Sequence, residues 1–388
     1  MPAHLPPDHL GLYIHVPFCA RKCRYCDFPS RPLGGDREIV EHYLRALARE
    51  AALRRREIDR PVHSVYIGGG TPTMLAPAEL ARLWDEVVAS FPLLQDAEVS
   101  LEANPGTLTA EHTEMLAALP VTRVSLGAQS FLPAELAMLG RLHTPEDVEE
   151  SAGLLRAAGV PALNLDLMYG LPGQTVAGWG ESLRLALALQ PEHLSCYSLI
   201  IEEETPLKAE IAAGLLTLPD EEEEAGMTAL TARLTAEHGL ARYEVSNAAR
   251  PGSECRHNLG YWLSRDYLGL GPSAVSCIGG LRWRNVNGAG DYAERIAGGM
   301  PAVSFTERLS GQSRLLEHVM LGLRLCEGFD LAAAEAECGC ELRSGSLGAL
   351  IDGGLLMRNG NRLCLTPAGY PLANQVVARL MVNADRPA

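Results

Sequence analysis

The chain has 388 residues, 47% of them hydrophobic and 21% charged, a mix that builds a packed core and excludes disorder on a large scale. Lys+Arg 33 against Asp+Glu 48 leaves a formal charge of −15, which makes nucleic acid a poor partner. No apolar run approaches the ~18 residues of a membrane span, and at roughly 150 residues per domain two or three domains are expected.

Residues 1–10 read as a short tail without a basic or apolar leader, so a cytoplasmic protein is expected. From there to Asn247, short β-rich runs alternate with helical patterns. The predicted strands are Leu12–Val16, Ser64–Ile67, Glu98–Glu102, Arg123–Leu126, Asn164–Met168 and Leu194–Leu199, with Arg242–Val245 as a candidate seventh. The predicted helices are Arg37–Ile58, Pro77–Ser90, Pro145–Ala158, Thr175–Leu189 and Glu221–Glu237. Pro77 and Pro145 fall near helix starts, where a missing N–H costs nothing. Repeated β-then-α units imply parallel strands with right-handed crossovers.

Nearly every strand leads into a distinctive polar run, among them Gly68-Gly69-Gly70-Thr71-Pro72, Glu102-Ala103-Asn104-Pro105, Gly127-Ala128-Gln129-Ser130 and Tyr169-Gly170-Leu171-Pro172. A site assembled from many strand ends favours a barrel-like α/β arrangement of six or seven units over residues 11–248, rather than a doubly wound sheet with one switch point. Residues 249–304 are rich in Gly and Arg with weak periodicity, and are expected to form a connecting segment. In residues 305–388 helices are predicted at Arg314–Leu325, Leu331–Cys338, Ser346–Gly353 and Pro367–Met381. Leu355–Arg358 and Arg362–Leu365 flank an Asn359-Gly360 turn, a hairpin signal, so this part reads as a small winged-helix-like domain. The acidic balance argues against DNA binding by it; a substrate lid or partner surface is expected instead.

Ten cysteines are too few for a disulfide scaffold, so reduced thiols or metal ligands are expected. Cys19, Cys23 and Cys26 fall within eight residues just after the first strand, while the other seven are scattered. Thiolates suit zinc, copper(I) or iron–sulfur clusters. A four-iron cubane normally takes four cysteines, so three would leave one iron open to a ligand. Two other readings are zinc, with His15 as fourth ligand, and a redox pair at Cys23-x-x-Cys26. Neither accounts for Cys19 together with the glycine loop. That loop lacks the lysine of a P-loop and the spacing of a dinucleotide fingerprint. Glu102 and Asp166, at or near strand ends, could accept bonds from ribose hydroxyls or an ammonium group, or could cap helices; Gln129 and Arg141 could equally be structural.

Leu12-Tyr13-Ile14-His15-Val16-Pro17-Phe18-Cys19, with Cys23, Tyr25 and Cys26, resembles the signature of the radical SAM superfamily. Gly68–Pro72, Leu139-Gly140-Arg141-Leu142-His143 and Asn164–Pro172 make the chain similar to the branch that holds oxygen-independent coproporphyrinogen III oxidases and HemW-type haem chaperones. The resemblance spans about residues 11–380. It implies an α/β fold, a partial (β/α)6 TIM-type barrel, holding a [4Fe–4S] cluster on Cys19, Cys23 and Cys26, with S-adenosylmethionine (SAM) on the fourth iron. It implies SAM contacts from Tyr13, Tyr25, Gly69, Gly70, Thr71, Glu102, Gln129, Arg141 and Asp166. Reduction of such a cluster would release a 5′-deoxyadenosyl radical from SAM.

The oxidase pattern adds a fourth cysteine two positions after the third, where this chain has Phe28, and an extended N-terminal region before the first strand. Both departures favour the chaperone. His257-Asn258-Leu259-Gly260-Tyr261-Trp262 resembles a chaperone motif, which implies His257 as a haem ligand and Tyr261 and Trp262 as porphyrin-packing residues. Cys255 is expected to be a plain thiol. The implied partners are haem, a haem-acceptor protein and an electron donor for the cluster; peripheral membrane association is compatible with this, and the oligomeric state is left open. Oxidative decarboxylation of coproporphyrinogen III is the alternative, and a radical SAM enzyme with an unrelated substrate the third reading.

Overall fold

The structure is a computed structural model that describes residues 5, 6, 8–342 and 345–381. Six strands, β1 (Leu10–Val16), β2 (Val62–Gly69), β3 (Leu93–Ala103), β4 (Arg123–Gln129), β5 (Ala162–Tyr169) and β6 (His193–Ser198), lie side by side in sequence order. Every neighbouring pair among them is parallel. The crossovers carry α1 (Arg37–Glu57), α2 (Pro77–Glu86), α3 (Ala110–Ala118), α4 (Pro133–Leu139), α5 (Pro145–Ala157) and α6 (Val176–Ala188). Helices α7 (Pro206–Ala212) and α8 (Glu221–Glu237) follow β6. Side chains of Asp36, Thr109, Thr144, Thr175, Thr205 and Asp220 accept from the first helical turns, which fixes where six of these helices start.

Alternation along the strands separates two faces. Leu12, Ile14, Val65, Ile67, Val99, Leu101, Val124, Leu126, Leu165 and Leu167 point outward and join the main hydrophobic core beneath the helices. The inward face is polar and cross-linked. Asn164 Nδ2 donates to Ser125 Oγ (2.6 Å) and Ser195 Oγ (3.0 Å), while Asn164 Oδ1 meets His193 Nδ1 at 2.6 Å.

The barrel is open. Beyond β6 comes the short antiparallel β7 (Asn247–Ala249), itself paired with Ala241–Arg242. The expected seventh strand at Arg242–Val245 is therefore two short antiparallel pieces, because the chain reverses between them; Tyr243 N donates to Asn247 O at 3.2 Å. On the other edge β8 (Asp266–Leu270) pairs parallel with β1, and β9 (Val275–Ile278), β10 (Leu281–Asn285) and β11 (Val303–Arg308) continue antiparallel. Residues 249–304 thus extend the sheet and also hold α9 (Arg256–Trp262) and α10 (Ala289–Ala297); β11 runs across residue 304. Glu50 of α1 binds this extension to the barrel, accepting from Gly271 N (2.9 Å), Asn285 Nδ2 (2.8 Å) and Tyr292 Oη (2.7 Å).

The C-terminal part has its own core, built on Leu315, Val319, Phe329, Leu363 and Leu380. It comprises α11 (Gly311–Gly322), β12 (Phe329–Asp330), α12 (Leu331–Cys338), α13 (Leu347–Asp352), β13 (Leu356–Asn359), β14 (Arg362–Leu365) and α14 (Ala373–Met381). Its sheet runs β12-β14-β13, with Gly360 at φ +61° in the hairpin turn. Among the described residues no helix is long and apolar enough to cross a membrane.

Candidate functional site

The C-terminal ends of β1–β5 deliver the predicted site residues to one mouth of the barrel. After β1 the cysteine loop is closed by a two-residue strand, Phe18–Cys19, paired with Arg31–Pro32, and by Leu33 N donating to Cys19 O at 2.9 Å. His15, which is buried, ties both ends of the loop. Its Nε2 donates to Pro29 O (3.0 Å), so its Nδ1 accepts from Tyr13 Oη (2.9 Å). Burial lowers its pKa and keeps the ring neutral. With both nitrogens engaged, His15 is no zinc ligand. Among the described residues no three His, Cys, Asp or Glu side chains converge as a single metal ion needs.

The three thiols are free and half-buried. Donors face two of them: Thr71 Oγ1 lies 3.8 Å from Cys19 Sγ, and Arg141 Nη1 lies 3.5 Å from Cys23 Sγ. The donors are joined, since Arg141 Nη2 donates to Asn104 Oδ1 (2.6 Å) and Gly127 O (2.6 Å), and Asn104 Nδ2 donates to Thr71 Oγ1 (2.7 Å). Asn104 was missed as a site residue, although the polar run after the third strand contains it. Burial pushes the Cys26 thiol up to about 11, so a metal bound there must displace its proton.

The glycine loop packs against the cysteine loop. Gly69 has φ +107°, and a Cβ there would fall 2.4 Å from His15 Nδ1. A Cβ on Gly70 would fall 2.6 Å from Phe18 O. Gly70 N donates to Val16 O (2.8 Å) and Thr71 N to Phe18 O (2.7 Å). The glycines therefore admit the backbone of the cysteine loop itself.

Two carboxyls stand deeper in the mouth. Glu102 accepts from Tyr66 Oη (2.8 Å) and Gly69 N (3.0 Å), and burial, then the charge of Asp166, pushes it up to about 7. Asp166 accepts from Ser125 Oγ (2.7 Å) and Asn164 Nδ2 (2.8 Å), and burial raises it too. Neither caps a helix. Tyr66, Ser125 and Asn164 were also missed; the period-two alternation that turns them inward was the available signal. Tyr25 packs against Leu139, Met168 and Leu171. Gln129 ends β4 at φ +66°, a rare conformation for this residue type, with its amide beside Gly127.

These residues fit a three-cysteine cluster and a zwitterionic, cationic ligand such as SAM. Arg141 Nε is buried with no partner, a donor left over for a carboxylate, and the buried carboxyls favour a cation.

His257 is not among the residues at the mouth. It lies on α9 at the opposite end of the strands, buried, with Nδ1 3.0 Å from Ser64 Oγ and Nε2 2.9 Å from Tyr261 Oη. As packed, it offers no ring nitrogen to an iron. Cys255 is buried too, its Sγ donating to Glu98 Oε1 at 3.5 Å.

A parallel partial barrel with Cys-x-x-x-Cys-x-x-Cys at the mouth defines a radical SAM protein. The family model described as radical SAM superfamily matches residues 13–186, and that of the HemN C-terminal domain matches residues 309–372. The chain is 42% identical over 387 residues to the haem chaperone HemW of Mycobacterium tuberculosis, covering 98% of this chain and 96% of the relative. To HemW of Bacillus subtilis it is 36% identical, covering 94% of this chain and 97% of the relative. The chain belongs to the HemW family of radical SAM proteins. Its fold is that of coproporphyrinogen III oxidase (HemN) from Escherichia coli, with a TM-score of 0.83 at 24% identity over 97% of this chain and 91% of that one.

Proposed function

We propose that the chain is a haem chaperone: it holds a [4Fe–4S] cluster on Cys19, Cys23 and Cys26, binds SAM at the barrel mouth, and carries haem to an acceptor protein. The observation that carries this reading over porphyrinogen oxidation is Phe28. It stands where the oxidase pattern has a fourth thiol, and its ring is 58% exposed beside the cysteine loop. Leu142, next to Arg141, is 63% exposed on a neighbouring loop, and Arg24 N donates to Leu139 O to hold the two loops together (3.0 Å). Exposed apolar side chains at a polar mouth suit the face of a porphyrin.

Cys19, Cys23 and Cys26 would hold the cluster, which when bound and reduced would supply one-electron chemistry toward the SAM sulfonium. The protein's own part is orientation: His15 fixes the loop, Arg141 and Thr71 present donors to sulfur, and the buried Glu102 and Asp166 offer carboxyls that ionise beside a bound cation. Tyr13, Tyr25, Gly69, Gly70 and Gln129 complete the proposed SAM contacts. An electron donor, a cytoplasmic location and peripheral membrane contact belong to the same proposal.

Anaerobic cluster reconstitution followed by haem and coproporphyrinogen III in parallel tests it. Uptake of one haem per chain, with no protoporphyrinogen IX formed, is expected. Turnover of coproporphyrinogen III under reducing conditions would replace this reading with the oxidase.

A further inference from the structure

We infer that the helix carrying His257-Asn258-Leu259-Gly260-Tyr261-Trp262 is a structural joint between the barrel base and the C-terminal domain, and that His257 is not the haem ligand. The haem half of this rests on the chaperone reading; the joint does not.

The first end of α9 plugs the barrel. Glu98 of β3, facing inward, accepts from the backbone N–H groups of Arg256 (2.8 Å) and His257 (3.0 Å). One buried carboxylate therefore fixes the start of the helix. The His257 ring then lies against Gly11 of β1, where a Cβ would sit 3.0 Å from Cε1, and stacks on Tyr66 with centroids 5.3 Å apart. Its two hydrogen bonds extend a buried chain that starts at His9, whose Nε2 is 3.2 Å from Ser64 Oγ. Tyr66, stacked on the His257 ring, donates separately to Glu102 (2.8 Å). Opening His257 toward a ligand would break two hydrogen bonds and empty a packed position.

The second end of α9 receives the other domain. Leu259, Trp262 and Leu263 pack with Leu5, Tyr243 and Leu325 in a separate apolar cluster. The Arg324 guanidinium lies 5.4 Å from the centre of the Trp262 ring. Around this contact, Cys326 N donates to Tyr243 O (3.0 Å), Glu244 bridges Leu325, and Arg242 covers the Tyr370 ring at 4.2 Å. Seven residues thus touch the barrel interior at one end and the C-terminal domain at the other.

The experiment pairs His257→Asn and Trp262→Ala with the wild-type chain. Asn keeps a hydrogen-bonding group near the Nδ1 position and cannot stand in as an axial imidazole. On titration with ferric haem, His257→Asn should keep the wild-type Soret maximum and a one-to-one end point, with Tm lower by about 2–4 °C. Should Asn fail to fold, His257→Gln serves the same comparison. Trp262→Ala should release the C-terminal domain at least about fivefold faster under limiting protease, because its docking free energy falls. A displaced Soret band or lost haem in His257→Asn at wild-type Tm overturns the ligand half. Wild-type release rates in Trp262→Ala overturn the joint. A wild-type chain that takes up no haem sinks the chaperone reading, and the protease arm still decides the joint.

Discussion

Glu102 is enclosed by protein, and burial with the neighbouring Asp166 carries its carboxyl from 4.5 to about 7. In the ligand-free fold the protonated form is favoured, so this group's stabilising contribution is full below 4.5 and is lost as pH rises through about 7. A cation alongside reverses the preference, because it pairs only with the ionised form. SAM, with net charge of about +1 at neutral pH, should bind up to about tenfold more weakly for each pH unit below 7, and Glu102→Gln should flatten that slope. Calorimetric titration across neutral pH checks it; a variant as steep as wild type would remove Glu102 from the site. At the cysteines, replacing Cys19, Cys23 or Cys26 by Ala should abolish most iron binding, while Cys338→Ala and Cys340→Ala should keep it. Iron analysis after reconstitution decides, and equal loss in both sets would sink the assignment. The cysteine spacing was legible because ligands on one loop are neighbours in sequence. The surroundings of His257 were not, because Ser64, which takes one of its nitrogens, is 193 residues away.

Among the elements, the six parallel strands and the longer helices were readable from their periodicity, to within a few residues at most ends; β3 starts five residues early, at Leu93. Their outward faces bury apolar side chains under the helices, which is the ordinary signal. The inward faces carry Ser64, Tyr66, Glu98, Arg123, Ser125, Asn164 and His193, and reading only the strand ends for chemistry passed over them. The antiparallel extension from β9 to β11 was opaque because its strands are short and divided by glycine turns such as Gly279-Gly280, leaving no period to detect. At the glycine loop, the cysteine loop itself approaches closely. Gly70→Ala therefore sets a Cβ against two backbone carbonyls, 2.6 and 2.8 Å away, that no side-chain rotation can move aside. The expected cost is about 1–3 kcal/mol, as for overpacking elsewhere, with weakened iron retention. Thermal unfolding and iron content together test this; a fully stable variant with normal iron would show that the loops are not packed as described.

At the scale of the whole molecule, two separate hydrophobic cores are held together by a small number of side chains. Besides the contacts around Trp262, a further tie is Arg282 on β10. Its Nη2 donates to both carboxylate oxygens of Glu317 on α11 (2.5 and 2.6 Å), and its Nη1 donates to Glu307 at 3.0 Å. Arg282 and Glu317 are both more than three-quarters buried, so the pair is shielded from salt far better than a surface bridge. Replacing Arg282 by Ala leaves a largely buried Glu317 without these donors, at a cost of about 1–3 kcal/mol. Because each core closes on itself, that loss should fall on the docking between them and leave the folding of the barrel intact. Hydrogen exchange read peptide by peptide should show faster exchange in β13, β14 and α14 of Arg282→Ala, with β4 and β5 at wild-type protection. Equal loss of protection in both regions would mean that the two cores unfold as one unit.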